Sequence, residues 1–211
     1  MRITIIYDNE TCKPDLKADW GFSCLVETHG RKILFDTGAS GPILLHNMRE
    51  LSIEPSSVDH VFISHGHHDH MGGLADFLEL NSCSVCVPAS CGDVAGAANT
   101  VKAKGAFELQ EGLFSTGELK GVEQSLVVKS GNGVVVVAGC SHPEVETILD
   151  AARRFGNIRA LIGGLHGFSE FYLLGDLDLV CPTHCTQFKS QIKSLYPNKY
   201  AEGGAGAIIE I

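Results

Sequence analysis

The sequence predicts an α/β fold with its working residues at strand ends, on three observations. Short apolar runs alternate with segments of helical spacing along the whole chain. The second half repeats the β-then-α order of the first without detectable sequence identity. Histidines follow directly after several of the strand-like runs.

Residues 3–7, 22–28 and 32–35 read as strands, with His29-Gly30-Arg31 as the turn between the last two, so the chain opens as a β-meander. Residues 41–51 carry Ile43, Leu44, Met48 and Leu51 at helical spacing, until Pro55 interrupts them. Residues 58–64 form a short apolar strand, and a histidine-rich run begins at its end, where open α/β sheets bind ligands. Gly72-Gly73-Leu74 leads into a short helix, and residues 83–88 read as a strand. The stretch from about 92 to 121 has Gly and Ala early and turn signals late, and commits to no element. Strands follow at 125–129 and 133–138, then a helix over 143–155 with Pro143 at its start, where a missing N–H costs nothing. Residues 160–162 and 177–181 read as strands, and 203–211 end in another. His142, His166 and His184 each stand just past a strand. No linker, low-complexity run or tandem repeat interrupts the chain, so residues 1–211 are expected to form one domain.

Composition narrows the function. Apolar residues make up 44% and charged ones 19%, values that suit a folded globular chain. A net charge of −9 disfavours nucleic acid and anionic membrane, which need a basic footprint, and favours a small-molecule substrate. No apolar stretch has the length of a membrane span or the form of a signal sequence. The eight cysteines are therefore read as reduced thiols of a cytoplasmic protein. Cys83 and Cys86 have a ligand-like CxxC spacing, and Cys91 follows. No second CxxC stands at zinc-ribbon distance, and a strand gives small thiols a packing role.

The run His65-Gly66-His67-His68-Asp69-His70 puts four candidate ligands into six residues. On a turn leaving a strand, His65 and His67 can converge on one cation while Asp69 and His70 point to a second. Zinc accepts imidazole and carboxylate at similar distances, and a catalytic site keeps one position open for water. Two ions about 3.5–4 Å apart can clamp both the attacking and the leaving oxygen. His68 is expected in the pocket wall or as a support behind the ligands, and His29, His46 and His60 as structural or solvent-facing.

The strings Phe35-Asp36-Thr37-Gly38, Ser64-His65-Gly66-His67-His68-Asp69-His70-Met71-Gly72-Gly73-Leu74 and Gly139-Cys140-Ser141-His142 resemble the metallo-β-lactamase superfamily. Ile162-Gly163-Gly164-Leu165-His166 and Pro182-Thr183-His184-Cys185-Thr186 resemble one branch of it. That branch is named for 7,8-dihydropterin-6-methyl-4-(β-D-ribofuranosyl)aminobenzene-5′-phosphate synthase, and its other members are described as metal-dependent hydrolases. The resemblance implies a four-layer αβ/βα sandwich with two divalent metal ions at one edge, zinc first, with manganese or iron as alternatives. It implies His65, His67 and His142 on the first metal, Asp69, His70 and His184 on the second, and Asp36 as a brace for the ligand turns. Where the superfamily commonly supplies a bridging Asp, this chain has His166, as a ligand, as a substrate-facing acid or base, or as a structural residue. The segment between Leu74 and His142, which would wall the pocket, is shorter than is usual in the branch.

The implied chemistry is hydrolysis of a phosphoester or ester-like bond, with Asp69 orienting the attacking hydroxide and His166 donating a proton to the leaving group. Alternatives are the synthase reaction of the branch, a di-iron redox protein, and a metal-dependent sensor. The oligomeric state is not legible.

Overall fold

The computed structural model describes residues 1–211. Strands β1 (Arg2–Tyr7), β2 (Ser23–Thr28) and β3 (Arg31–Phe35) form the antiparallel meander. The turn between β2 and β3 is His29-Gly30, with φ of 49° and 71°, the two left-handed residues that a type I′ hairpin requires. Helix α1 (Gly41–Glu50) leads to β4 (His60–Phe62), which lies parallel to β3. Helices α2 (His68–Met71) and α3 (Leu74–Leu80) precede β5 (Ser84–Pro88) and β6 (Asn99–Ala103), which extend the sheet in parallel.

The chain then enters a second sheet. Strands β7 (Phe107–Gln110), β8 (Leu113–Ser115), β9 (Leu126–Ser130) and β10 (Gly133–Ala138) are antiparallel neighbours. Helix α4 (Val145–Arg153) crosses to β11 (Ile158–Gly164), and β12 (Leu179–Thr183) continues in parallel. After α5 (Lys189–Leu195), β13 (Ile208–Glu210) returns to pair with β1. The strand orders are β13-β1-β2-β3-β4-β5-β6 and β12-β11-β10-β9-β8-β7.

The valine run of β10 shows why the sheets stack. All six of its residues are buried, because both faces are covered. Val135 and Val137 join Ile3, Ile5, Phe35 and Phe62 between the sheets, while Val134 and Val136 pack with Ile148 and Leu149 of α4. On the first sheet Val26 and Ile33 face inward, and Leu25 and Leu34 meet Leu44 and Met48 of α1 and Phe77 of α3. Each such side chain contributes about 1.5–3 kcal/mol by leaving water. The layers run helix, sheet, sheet, helix, which is the αβ/βα sandwich expected.

Several boundaries differ from expectation for local reasons. β4 is shorter than 58–64: residues 55–57 form a 3₁₀ turn, and the Ser64 N–H has left the ladder for the Asp36 carboxylate. α4 begins at Val145, so Pro143 lies in the preceding turn, where Glu144 has a φ of 74°. β12 runs on through Pro182, which is tolerated on a sheet's edge strand. The undecided stretch 92–121 contains β6, β7 and β8, and the first two are only half buried, which blurs their alternation. No helix is long and apolar enough to cross a membrane.

Candidate metal centre

One edge of the sandwich gathers the ends of β1, β3, β4, β10, β11 and β12. The backbone reverses sharply there. Asp36, Ser141, His166 and His184 have φ of 53°, 62°, 45° and 47°, a left-handed conformation that costs a non-glycine residue roughly 1–2 kcal/mol. Strain of this kind persists only where surrounding contacts over-determine it.

Three imidazoles converge at this edge. His65 Nε2 lies 3.1 Å from His67 Nδ1, and His142 Nε2 lies 3.2 Å from the same atom. Nitrogens bound at 2.0–2.1 Å around a tetrahedral zinc stand about 3.3 Å apart, so the spacing fits one ion. Beside them His184 Nε2 is 3.2 Å and His70 Nε2 3.7 Å from Asp69 Oδ2. His184 Nε2 is buried and has no hydrogen-bond partner, an orphaned lone pair aimed at a carboxylate. A buried group in that state calls for an explanation, and a bound cation would satisfy it. His67 is exposed and Asp69 partly so, which leaves the centre open on one side.

Neighbouring groups orient these donors. His70 Nδ1–H donates to Asp36 Oδ2 at 2.7 Å, which leaves Nε2 its lone pair. His65 Nδ1–H donates to Ser64 Oγ at 2.9 Å, and that hydroxyl donates to Asp36 Oδ2 at 2.7 Å. The other Asp36 oxygen accepts the Ser64 N–H at 2.7 Å, so one buried carboxylate sets two imidazoles. His184 Nδ1–H donates to Asn9 Oδ1 at 3.0 Å, and its backbone N–H donates to Asp8 Oδ1 at 3.1 Å.

Sequence reasoning missed the residues that hold the β10 turn. Fully buried Glu123 accepts the N–H groups of Gly139, Cys140 and Ser141 at 3.0, 3.0 and 3.1 Å on one oxygen, and that of His142 at 2.9 Å on the other. Next to it Gln124 donates from its side chain to Ile63 O at 2.8 Å and from its backbone to Ser64 O at 2.9 Å. These neighbours tie the two ligand turns, one from each sheet, to each other. Gly139 permits the closeness: a Cβ there would stand 2.2 Å from Ser64 Oγ.

Without metal, His65, His142 and His184 resist protonation. Burial, reinforced by nearby imidazoles, holds His65 far below its usual range, His142 down to about 4 and His184 down to about 3. Burial also works against charge on His70, but Asp36 outweighs it and His70 is raised. The depressed His142 gives a signed prediction. As pH falls from about 6.5 toward 4, the unfolded chain takes up this proton while the folded one does not, so stability drops. Metal-free His142→Gln should therefore show a flatter pH dependence across that window than the parent. Denaturant titrations of both proteins would expose an unchanged slope.

His166 stands beside His142, with ring centroids 4.6 Å apart, and it is not grouped with Asp69, His70 and His184. Its Nε2 is buried without a partner. It lines a cavity of about 330 Å³ with Ser141, Glu144 and Phe168. A second cavity lies between His65, His67, Met71 and Cys91. His68 is exposed at the start of α2 and lines neither, contrary to the pocket-wall expectation, because the helix turns it outward. His29, His46 and His60 lie away from the centre, held by Lys129 O, Asp15 O and Gln110.

All eight cysteines are free. Cys86 faces the space between the sheets and Cys83 the opposite side, so the pair cannot share an ion. Joint replacement of Cys83, Cys86 and Cys91 by Ala should leave metal content unchanged, and elemental analysis showing a lost equivalent would refute this.

Residues 21–90 match the metallo-β-lactamase superfamily model. An uncharacterized protein of Methanocaldococcus jannaschii is 26% identical over 99% of this chain and the whole of that protein. From the same organism, 7,8-dihydropterin-6-methyl-4-(β-D-ribofuranosyl)-aminobenzene-5′-phosphate synthase is 24% identical over 81% of this chain and 82% of its own length. Among solved structures, Tm1679, described as a metal-dependent hydrolase of the β-lactamase superfamily, superposes with a TM-score of 0.80. It has 27% identity and covers all of this chain and 99% of its own.

Proposed function

We propose that this chain, which is similar to the metallo-β-lactamase superfamily, is a hydrolase that holds two divalent metals, zinc first, and cleaves a phosphoester or ester-like bond in a small molecule. His65, His67 and His142 would hold the first ion, and Asp69, His70 and His184 the second. The observation that carries the proposal is the convergence of three imidazole nitrogens beside the orphaned Nε2 of His184. Metals at these positions would activate water and polarise the scissile bond.

The chain's own groups do the rest. Burial works against charge on Asp69, but His70 beside it keeps its carboxyl below the usual range, so at neutral pH it stands as a carboxylate that would orient the attacking water by accepting its hydrogen bond. Burial lowers His166, so it reaches the reaction as a neutral imidazole. With its Nε2 free and facing the cavity, it would serve as an acid or base toward the leaving group. The cavity between His166 and Phe168 suits a small substrate, the net charge of −9 argues against nucleic acid, and the free thiols fit a reducing, cytoplasmic setting.

Elemental analysis should find about two metal equivalents in the parent, and His67→Ala should lose most of the first. The loaded protein should turn over members of a phosphomonoester, phosphodiester, thioester and lactone panel. Unchanged metal in His67→Ala would remove the assignment. The 24% identity to the synthase favours one second reading, in which the same centre joins a dihydropterin to a ribosylated aminobenzene phosphate. Product formation from that pair, with silence across the panel, would select it.

A further inference from the structure

Cys140 belongs to the centre and has no role so far. Its Sγ lies 3.1 Å from His70 Nε2. It falls within one group, every pair of ligand atoms closer than 4.8 Å, with Asp69, His70 and His184, and within another with His65 and His142. A single atom thus lies within 4.8 Å of donors assigned to each proposed metal. The chain supplies no carboxylate there from the end of β11, which offers His166. From this geometry we propose that Cys140 is a thiolate ligand of the metal centre, within reach of both donor sets. The inference rests on the two-metal reading above.

The surroundings are built for a sulfur ligand. Zinc takes thiolate at about 2.3 Å, so sulfur and nitrogen donors on one tetrahedral ion stand roughly 3.5 Å apart. The 3.1 Å contact with His70, a hydrogen bond without metal, would open by a few tenths of an ångström on one ion. Glu123 fixes the backbone on both sides of Cys140 by accepting the N–H groups of residues 139 to 142. Cys185 donates from its own thiol to Cys140 Sγ at 3.4 Å, the kind of outer contact that orients a ligand. When the metal binds, the sulfur–metal bond forms and the S–H proton passes to solvent. A thiolate biases the centre toward zinc or iron and against magnesium or manganese.

The test uses the full chain loaded with cobalt(II), read by absorption alongside cobalt stoichiometry. The parent should show a sulfur-to-cobalt charge-transfer band in the near ultraviolet at two bound equivalents. Cys140→Ser should lose it, and Cys185→Ser should keep it. A parent without the band, or a band lost only with Cys185→Ser, overturns the inference while leaving the two-metal reading intact. Absence of bound cobalt overturns both. X-ray absorption at the zinc edge of the parent decides independently of how the variants fold: sulfur scattering near 2.3 Å supports the assignment, and only nitrogen and oxygen neighbours refute it.

Discussion

Glu123→Ala lowers stability by about 3–5 kcal/mol, because three buried N–H groups and one half-buried one lose the one carboxylate that accepts them. Water entering the vacated volume would recover part of the loss, which is why the figure stays below the sum of four bonds. The damage should reach the centre as well, since the freed backbone carries Cys140 and His142. Denaturant unfolding of the metal-free variant should show the loss, and the metal-loaded variant should retain the second ion better than the first. Glu123→Gln should fall between: its oxygen can keep the three N–H groups of residues 139 to 141, but its amide N–H₂ then faces the N–H of His142. A Glu123→Ala protein as stable as the parent would show that the turn holds itself.

Asp36→Asn weakens the metal centre by about 10–100-fold in affinity at nearly constant volume, the usual cost of losing a partner that orients a ligand. The new amide nitrogen would face His70 Nδ1 as a donor, where the carboxylate had been an acceptor. His70 must then accept at Nδ1 and carry its proton on Nε2, the atom it needs for metal. Ser64 loses the acceptor that keeps its hydroxyl turned for His65, so both ions should feel the change. Chelator competition would measure the affinity, and nitrogen chemical shifts of His70 would report the tautomer. Parent-like affinity with an unchanged tautomer would reduce Asp36 to a packing role.

What the sequence disclosed followed from contiguity. His65 to His70 could be read as donors because they leave one strand within a single turn, and His184 because it closes another. β10 was legible as six consecutive apolar residues with both faces buried. By contrast, β6 and β7 border their sheets, carry mixed exposure and offer no period to detect. Glu123 was invisible for a different reason. A lone acid ahead of a strand has no pattern, and its role exists only because β10 returns beside it. Asp8 had a faint signal, an acid one residue past a strand as Asp36 is, and its tie to His184 spans 176 positions.

That last contact also bears on how the protein is made. Asp8 and Asn9 must meet His184 across almost the whole chain, and Asp8 Oδ2 also takes the Gly204 N–H, 196 positions away. Closures of such separation make folding slow, because the chain entropy is lost before the contacts form. A chain emerging from the ribosome displays His65 to His70 and His142 well before His184 exists. The first set of imidazoles can therefore be in place while the second is half made, and on the two-metal proposal capture of the second ion would mark the moment at which the two ends of the fold have found each other.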